Sequence, residues 1–181
     1  MMKRNNFPFS AVLGLNHAKT AILIVLVNPR AGGLLISGPR GIGKSTLMRS
    51  TQELIERPWR DIPVSVTEDR LFGTIDTEKA IYSGQKKLYP GIINEADQGV
   101  LYLDDANLLR EDLLDFILNI AEVGAYQLER DGLSLRCDTS FTVIAAINPE
   151  SGMLSGACLD QFGLFVNVDN IHDENTRVEI L

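Results

Sequence analysis

Residues 34–47 read Leu-Leu-Ile-Ser-Gly-Pro-Arg-Gly-Ile-Gly-Lys-Ser-Thr-Leu, and this stretch decides the fold. Its segment 38–45 matches the pattern G-x-x-x-x-G-K-[ST] at every fixed position. The glycines let backbone N–H groups curl around phosphate oxygens, and the N-terminus of a following helix adds a favourable dipole. The stretch therefore predicts a strand, a phosphate-binding loop and a helix in succession.

This loop predicts ATP and Mg²⁺ as ligands. The side chain of Lys44 is expected to reach the β- and γ-phosphates, and the hydroxyl of Ser45 is expected to ligate Mg²⁺. The residues expected to contact the nucleotide are Gly38, Pro39, Arg40, Gly41, Ile42, Gly43, Lys44, Ser45 and Thr46.

Polar residues follow two further apolar runs. Asp104 and Asp105 come directly after residues 100–103, and Asn148 follows residues 141–147. Carboxylates at the C-terminal edge of a central strand lie beside the phosphate loop in a sheet of this kind, so Asp104 is expected to hold Mg²⁺, mostly through water. Asn148 is expected to orient a water molecule or contact the terminal phosphate. The alternatives are two acids that cap the next helix and a plain Asn-Pro turn.

Working outward, the apolar pattern predicts an α/β protein with a parallel sheet. Three of the apolar runs lack alternation, which favours strands covered on both faces. Helical patterns lie between them, and one of them places Leu109, Leu113, Phe116, Ile117 and Ile120 on a single stripe. The predicted strands are 34–36, 64–66, 100–103, 141–147 and 164–168, and the predicted helices are 15–28, 44–56 and 108–123.

Two excursions interrupt this alternation. Residues 71–90 are polar, and residues 125–137 carry Asp131-Gly132 between alternating runs, which is a strong hairpin signal. Both are either surface decoration or functional inserts, because long excursions from a compact domain often carry function.

Composition excludes several classes of protein. The 181 residues fit one domain, and 17 basic against 24 acidic residues give a net charge of −7, which disfavours non-specific nucleic-acid binding. The longest apolar run, 21–27, is far short of the roughly 20 residues of a membrane helix. Cys137 and Cys158 fit reduced thiols, so a cytoplasmic location is expected.

The phosphate loop, the Asp-Asp strand and the Asn-tipped strand, in this order, resemble the AAA+ ATPases. Further segments from about Phe7 to the C-terminus resemble the ATPase (I) subunit of magnesium chelatase. They include Phe7-Pro8-Phe9-Ser10-Ala11, Val27-Asn28-Pro29-Arg30, Thr67-Glu68-Asp69-Arg70, Gly73-Thr74-Ile75-Asp76, Pro90-Gly91, Leu101-Tyr102-Leu103-Asp104, Asn107-Leu108-Leu109, Glu129-Arg130-Asp131-Gly132 and Leu159-Asp160-Gln161-Phe162-Gly163.

This resemblance implies a P-loop NTPase three-layer sandwich with a central parallel sheet, a helix-region insert at 71–90 and a β-hairpin insert at 125–137. It also implies a homo-oligomeric ring with ATP at the subunit interfaces, and contact of Leu13-Gly14 with adenine. The ring would act with chelatase partner subunits, using ATP hydrolysis to drive Mg²⁺ insertion into protoporphyrin IX early in chlorophyll synthesis.

The sequence departs from the family at three places. Asp105 stands where the catalytic Glu is usual, and Gln161 stands where the family has the Arg that reaches the γ-phosphate of a neighbouring subunit. Residues 1–181 are expected to form the α/β core without the C-terminal helical lid. These departures predict a chain that binds Mg·ATP or ADP but hydrolyses ATP slowly.

Two other functions stay open at this point. One is a chelatase-like AAA+ chaperone of the MoxR kind, which acts on another protein and has a von Willebrand A-domain protein as its partner. The other is a nucleotide-binding regulator with weak hydrolysis, which Asp105 and Gln161 favour.

Overall fold

A computed structural model describes residues 7–75, 88–130 and 132–169 of the chain. The strands within these ranges are β1 (Leu34–Ser37), β2 (Trp59–Ile62), β3 (Gly73–Ile75), β4 (Leu88–Pro90), β5 (Gly99–Leu103), β6 (Ala125–Arg130), β7 (Leu133–Asp138), β8 (Phe141–Ile147) and β9 (Leu164–Asn167). The α-helices within the same ranges are α1 (Asn16–Val27), α2 (Lys44–Thr51), α3 (Glu68–Phe72), α4 (Ile92–Glu95), α5 (Glu111–Val123) and α6 (Gly156–Asp160).

Five of these strands form one parallel sheet in the order β2-β5-β8-β1-β9. Parallel neighbours that are not consecutive in the chain require crossovers, and the helices between them supply these. The predicted α/β class with a central parallel sheet is confirmed.

The side chains of the central strands alternate between two apolar clusters. Leu35, Leu101 and Ala145 face one cluster together with helix α5. Leu34 and Ile144 face the other together with helices α1 and α2. Because successive side chains of a strand point to opposite faces, helices on both sides bury the sheet, which accounts for the unbroken apolar runs.

Three sequence predictions about elements need correction. Residues 64–66 form no strand: the N–H of Val66 donates to the carbonyl of Pro63 in a turn, and the strand lies earlier, at Trp59–Ile62. Helix α2 ends at Thr51 and continues only as a 3₁₀ turn, Gln52–Leu54. Phe116 is 60% exposed, because it lies off the buried face of α5, where it meets the Phe72 ring edge-on.

The two predicted excursions form separate antiparallel ribbons. Strands β6 and β7 pair as the expected hairpin, and the Tyr126 hydroxyl ties it to the body through the carbonyl of Phe72, 2.7 Å away. Strands β3 and β4 pair at the ends of the 71–90 insert. Residues 76–87 of that insert, and residues 170–181, lie outside the described residues. None of the helices described is long and apolar enough to cross a membrane.

Candidate nucleotide-binding site

The predicted site residues meet at the carboxyl edge of the sheet. Strand β8 lies between β1 and β5, with Ser37 opposite Ile147 and Leu103 opposite Ala145. Parallel strands end at the same edge, so the segments that follow β1, β5 and β8 emerge side by side. This topology brings the phosphate loop and the polar residues after the two other strands together.

The loop after β1 has a backbone that glycine permits. Gly41 and Gly43 have φ values of +83° and +91°, in the left-handed region that glycine enters without steric cost. At Gly38, an added Cβ would lie 2.4 Å from the carbonyl oxygen of Val168, so no larger residue fits there. These positions make the loop a cradle of main-chain N–H groups at the start of helix α2, as a phosphate requires.

Lys44 places a buried cation beneath this loop. Its side chain is 8% exposed, and its Nζ donates to the carbonyl oxygens of Gly38 at 2.6 Å and Pro39 at 2.8 Å. Burial lowers the pKa of Lys44, while the nearby carboxylates of Asp105 and Asp104 oppose that shift. The positive charge is thus held by loop carbonyls, within reach of an anion above the loop.

Ser45 and Asp104 form the oxygen pair expected for a magnesium site. The Ser45 hydroxyl donates to Asp104 Oδ2 at 3.0 Å across the gap between helix α2 and strand β5. Two hard oxygen ligands fit Mg²⁺, which keeps several waters and takes further oxygens from phosphates. Within the ranges the structure describes, no group of three or more His, Cys, Asp and Glu side chains gathers at a metal-binding spacing. A cation here would therefore depend on this pair together with water and phosphate.

Asp105 adopts a left-handed backbone conformation, with φ 51° and ψ 48°. Its carbonyl oxygen accepts a hydrogen bond from Leu108 N at 2.8 Å in the following 3₁₀ turn. Its carboxylate is near enough to Lys44 to raise the pKa of that lysine, against the effect of burial. Asp105 therefore lies on the phosphate-loop side of β5, where the sequence analysis expects it.

Asn148 lies at the expected edge, and its amide bonds to its own turn. The side chain is 2% exposed. Its Oδ1 accepts from Glu150 N at 3.2 Å, and its Nδ2 donates to Ser151 Oγ at 3.2 Å. These side-chain contacts are those of the plain Asn-Pro turn. Because Asn148 follows strand β8, it lies between the phosphate loop and Asp104.

Sequence reasoning missed Tyr102. It lies two residues before Asp104 on β5, is 5% exposed, and its hydroxyl has no hydrogen-bond partner among the described residues. Burial and the Asp104 carboxylate raise the pKa of Tyr102, so the phenol stays protonated and can both donate and accept a hydrogen bond. The feature of the sequence that could have indicated Tyr102 is a single hydroxyl within a strand predicted to be buried on both faces.

Gln161 lies away from the phosphate loop of its own chain. It follows helix α6 just before β9 begins, whereas the phosphate loop follows β1 at the other edge of the sheet. The four residues of β9 alone separate the two edges by about 13 Å. Gln161 therefore lies too far from the phosphate loop of its own chain to contact a phosphate bound there. On the opposite side, Leu15 lies beside the loop, 3.9 Å from where a Gly43 Cβ would stand.

Comparison with known proteins gives consistent matches. The AAA domain family (dynein-related subfamily) matches residues 33–161. The magnesium-chelatase 38 kDa subunit of Cereibacter sphaeroides is 36% identical over 97% of this chain and 62% of its own length. Magnesium-chelatase subunit ChlI of Cyanophora paradoxa is 34% identical over 99% of this chain and 64% of its own length.

A solved structure agrees in fold. It describes a complex between subunits BchI and BchD of magnesium chelatase, based on a single-particle cryo-EM reconstruction. The matched chain has a TM-score of 0.83 and 37% identity over 98% of this chain and 65% of its own length. The chain thus spans somewhat over 60% of the length of these relatives. The alignment with the Cereibacter protein is 208 positions long, more than the 181 residues here, so that relative carries residues in this stretch that the chain lacks.

Proposed function

The chain belongs to the AAA domain family and is homologous to the I subunit of magnesium chelatase, and from this premise we propose that it is an α/β ATPase core that binds Mg·ATP. One observation carries the proposal: Ser45 and Asp104 are paired at 3.0 Å beside a glycine loop whose floor is the buried cation of Lys44. A phosphate cradle, a buried positive charge and a hard-oxygen pair together fit a magnesium nucleotide.

In this proposal each residue of the site has one task. The loop N–H groups and Lys44 bind the phosphates, and Ser45 and Asp104 hold Mg²⁺. Bound Mg²⁺ supplies neutralisation of the charge that develops on the phosphates. Asp105 orients the attacking water, and Asn148 fixes the turn that closes the site between β1 and β5.

We further propose that the whole protein works as a ring subunit that couples ATP hydrolysis to insertion of Mg²⁺ into protoporphyrin IX, together with partner subunits. The relatives' names and the BchI–BchD complex support this finer function. Gln161 lies too far from the phosphate loop of its own chain to contact a phosphate there. That position suits a residue that acts on a neighbouring copy.

A regulator with weak hydrolysis is the second candidate, and two departures from the family favour it. Asp105 is one methylene shorter than the usual Glu, and small misplacements of a catalytic group cost large factors in rate. Gln161 has no charge where an arginine finger supplies orders of magnitude in rate. Binding residues are intact, whereas both groups expected to speed hydrolysis are altered.

Size measurement with and without nucleotide, coupled to an ATPase assay on the same samples, tests these proposals. We expect Mg·ATP to bind and to drive assembly, with turnover well below that of an ordinary AAA+ enzyme. Lys44→Met is the control and should show strongly weakened Mg·ATP binding and no assembly at the nucleotide concentration that saturates the unmodified chain. Failure of the unmodified chain to bind Mg·ATP would refute the ATPase proposal, and ordinary turnover would refute the weak-hydrolysis proposal.

A further inference from the structure

Tyr102 is the one described tyrosine at the candidate magnesium site. Its ring belongs to the buried cluster between the sheet and helices α1 and α2. It lies on β5 and precedes by two residues Asp104, which follows the end of that strand, and both side chains line the same cleft. Its ring packs against Trp59 of the neighbouring edge strand, with ring centroids 5.9 Å apart.

Tyr102 and Asp104 share a cleft with Ser45. This cleft, of about 250 Å³, lies between the start of helix α2 and the ends of β2 and β5, and Trp59 and Asp61 also line it. Asp61 accepts the Trp59 indole N–H at 2.8 Å, so that carboxylate already has a donor. The Tyr102 hydroxyl, in contrast, is buried and makes no hydrogen bond within 3.5 Å, while the Asp104 carboxylate and the Ser45 hydroxyl lie close enough to influence its pKa.

A buried hydroxyl that makes no hydrogen bond destabilises a folded protein, whereas phenylalanine would fill the same place without that cost. The Tyr102 side chain lines a cleft in which the proposed Mg²⁺ ligands, Ser45 and Asp104, lie beside Arg49, Gln52 and Asp61. Water that such an ion keeps in its coordination shell gives its oxygen lone pair to the cation and donates its protons outward, so it needs hydrogen-bond acceptors around it, and a phenol oxygen can accept. A phenol in this position meets that need.

We propose that Tyr102 is a positioning residue of the magnesium site, whose hydroxyl hydrogen-bonds to a water ligand of the Mg²⁺ held by Ser45 and Asp104. This inference rests on the proposed Mg·ATP function and extends it to a residue outside the phosphate loop. In this role Tyr102 contacts neither the phosphates nor the reacting water. It orients a water ligand in the coordination shell of the cation.

The test is a Mg²⁺ titration of the Tyr102→Phe chain saturated with a non-hydrolysable ATP analogue. Trp59 is the single tryptophan of the sequence and packs on the Tyr102 ring, so its fluorescence reports the site. Titration calorimetry gives a second readout, since the substitution itself alters the surroundings of Trp59. We expect the Mg²⁺ concentration at half-saturation to rise about three- to tenfold.

Two further measurements separate positioning from a structural role. Affinity for the analogue in EDTA should be unchanged, and the melting temperature should be unchanged or higher, because the variant buries no unpaired hydroxyl. Tyr126→Phe is the matched control: it removes a tyrosine hydroxyl that bonds the Phe72 carbonyl, away from the site, and should leave the Mg²⁺ titration unaltered.

The outcomes distinguish this inference from the function on which it rests. If the unmodified chain binds the analogue and Tyr102→Phe shows the same Mg²⁺ dependence, the positioning role is refuted while the ATPase proposal stands. A parallel loss of Mg²⁺ affinity, analogue affinity and melting temperature would also refute it, in favour of plain packing. An unmodified chain that binds no Mg·nucleotide refutes both.

Discussion

Replacing Asp105 by the Glu that the family pattern has there should raise turnover and lower stability at once. Asp105 has φ 51° and ψ 48°, close to the ideal left-handed helix. Asp and Asn are tolerated in this region better than other residues with a Cβ, for which it costs roughly 1–2 kcal/mol. We therefore expect Asp105→Glu to lower the free energy of unfolding by about 0.5–1 kcal/mol. In a domain of this size that lowers the melting temperature by about 1–4 °C.

The expected gain in turnover follows from the greater length of the Glu side chain. One additional methylene extends the carboxylate by about 1.5 Å, and a misplacement of about 1 Å can cost about a hundredfold in rate. We expect turnover at saturating Mg·ATP to rise roughly 10- to 100-fold. The assay pairs phosphate release, at chain concentrations where nucleotide drives assembly, with thermal unfolding followed by circular dichroism.

Gln98→Gly is the control, because Gln98 also has a left-handed backbone, with φ 58°, and lies at the other end of β5. It should raise the melting temperature by about 2–4 °C through relief of the same conformational cost, with unchanged turnover. If Asp105→Glu melts lower and turns over no faster, the reach argument is wrong. If it melts at the same temperature or higher, the strain argument is wrong.

Three further predictions concern Lys44 and the packing of β9. Lys44→Met should weaken Mg·ATP binding by roughly 30- to 1000-fold, since a unit charge about 4 Å from a phosphate charge contributes about 4 kcal/mol near a protein surface; calorimetry that finds affinity within threefold would contradict this. Because burial lowers the pKa of Lys44 in the fold, the unfolded chain holds that proton to higher pH, so the free energy of unfolding of the unmodified chain should rise relative to that of Lys44→Met as the pH approaches 10.5. Denaturant titrations across that range would show it. Gly163→Ala should cost about 3 kcal/mol or more, because its Cβ would lie 1.6 Å from the carbonyl oxygen of Ala31. Gly156→Ala, which meets nothing within 4 Å, should leave the melting temperature nearly unchanged.

The sequence predicts the central strands well because their signal is local. Residues 34–37, 99–103 and 141–147 are buried along their whole length, and an unbroken apolar run is the pattern of a strand covered on both faces. The prediction of the edge strand is wrong for the opposite reason. In β2, Trp59 and Ile62 are buried while Arg60 and Asp61 are exposed. These polar residues interrupt the apolar pattern, so the sequence does not indicate a strand, and pairing with β5 stabilises it.

The candidate site also has a part that the local sequence predicts and a part that it does not. The phosphate loop is specified within eight consecutive residues, by glycines with positive φ and by a lysine that folds back onto loop carbonyls. The position of Tyr102 in the magnesium cleft depends on how β5, β2 and helix α2 pack, and these elements are distant in sequence. No local periodicity predicts such a cleft, which is why the sequence alone shows this hydroxyl only as part of an apolar strand.

The sheet topology also separates binding from turnover. Everything proposed to hold Mg·ATP stands at the carboxyl edge of one chain, because β1, β8 and β5 are neighbours there. Gln161, where the family pattern has a cation, precedes β9 at the amino edge and lies beyond reach of that chain's own phosphates. The groups proposed to bind the nucleotide, Lys44, Ser45 and Asp104, should therefore all come from a single chain. Turnover should depend on the contact between copies, so an arginine restored at position 161 can act only across that contact.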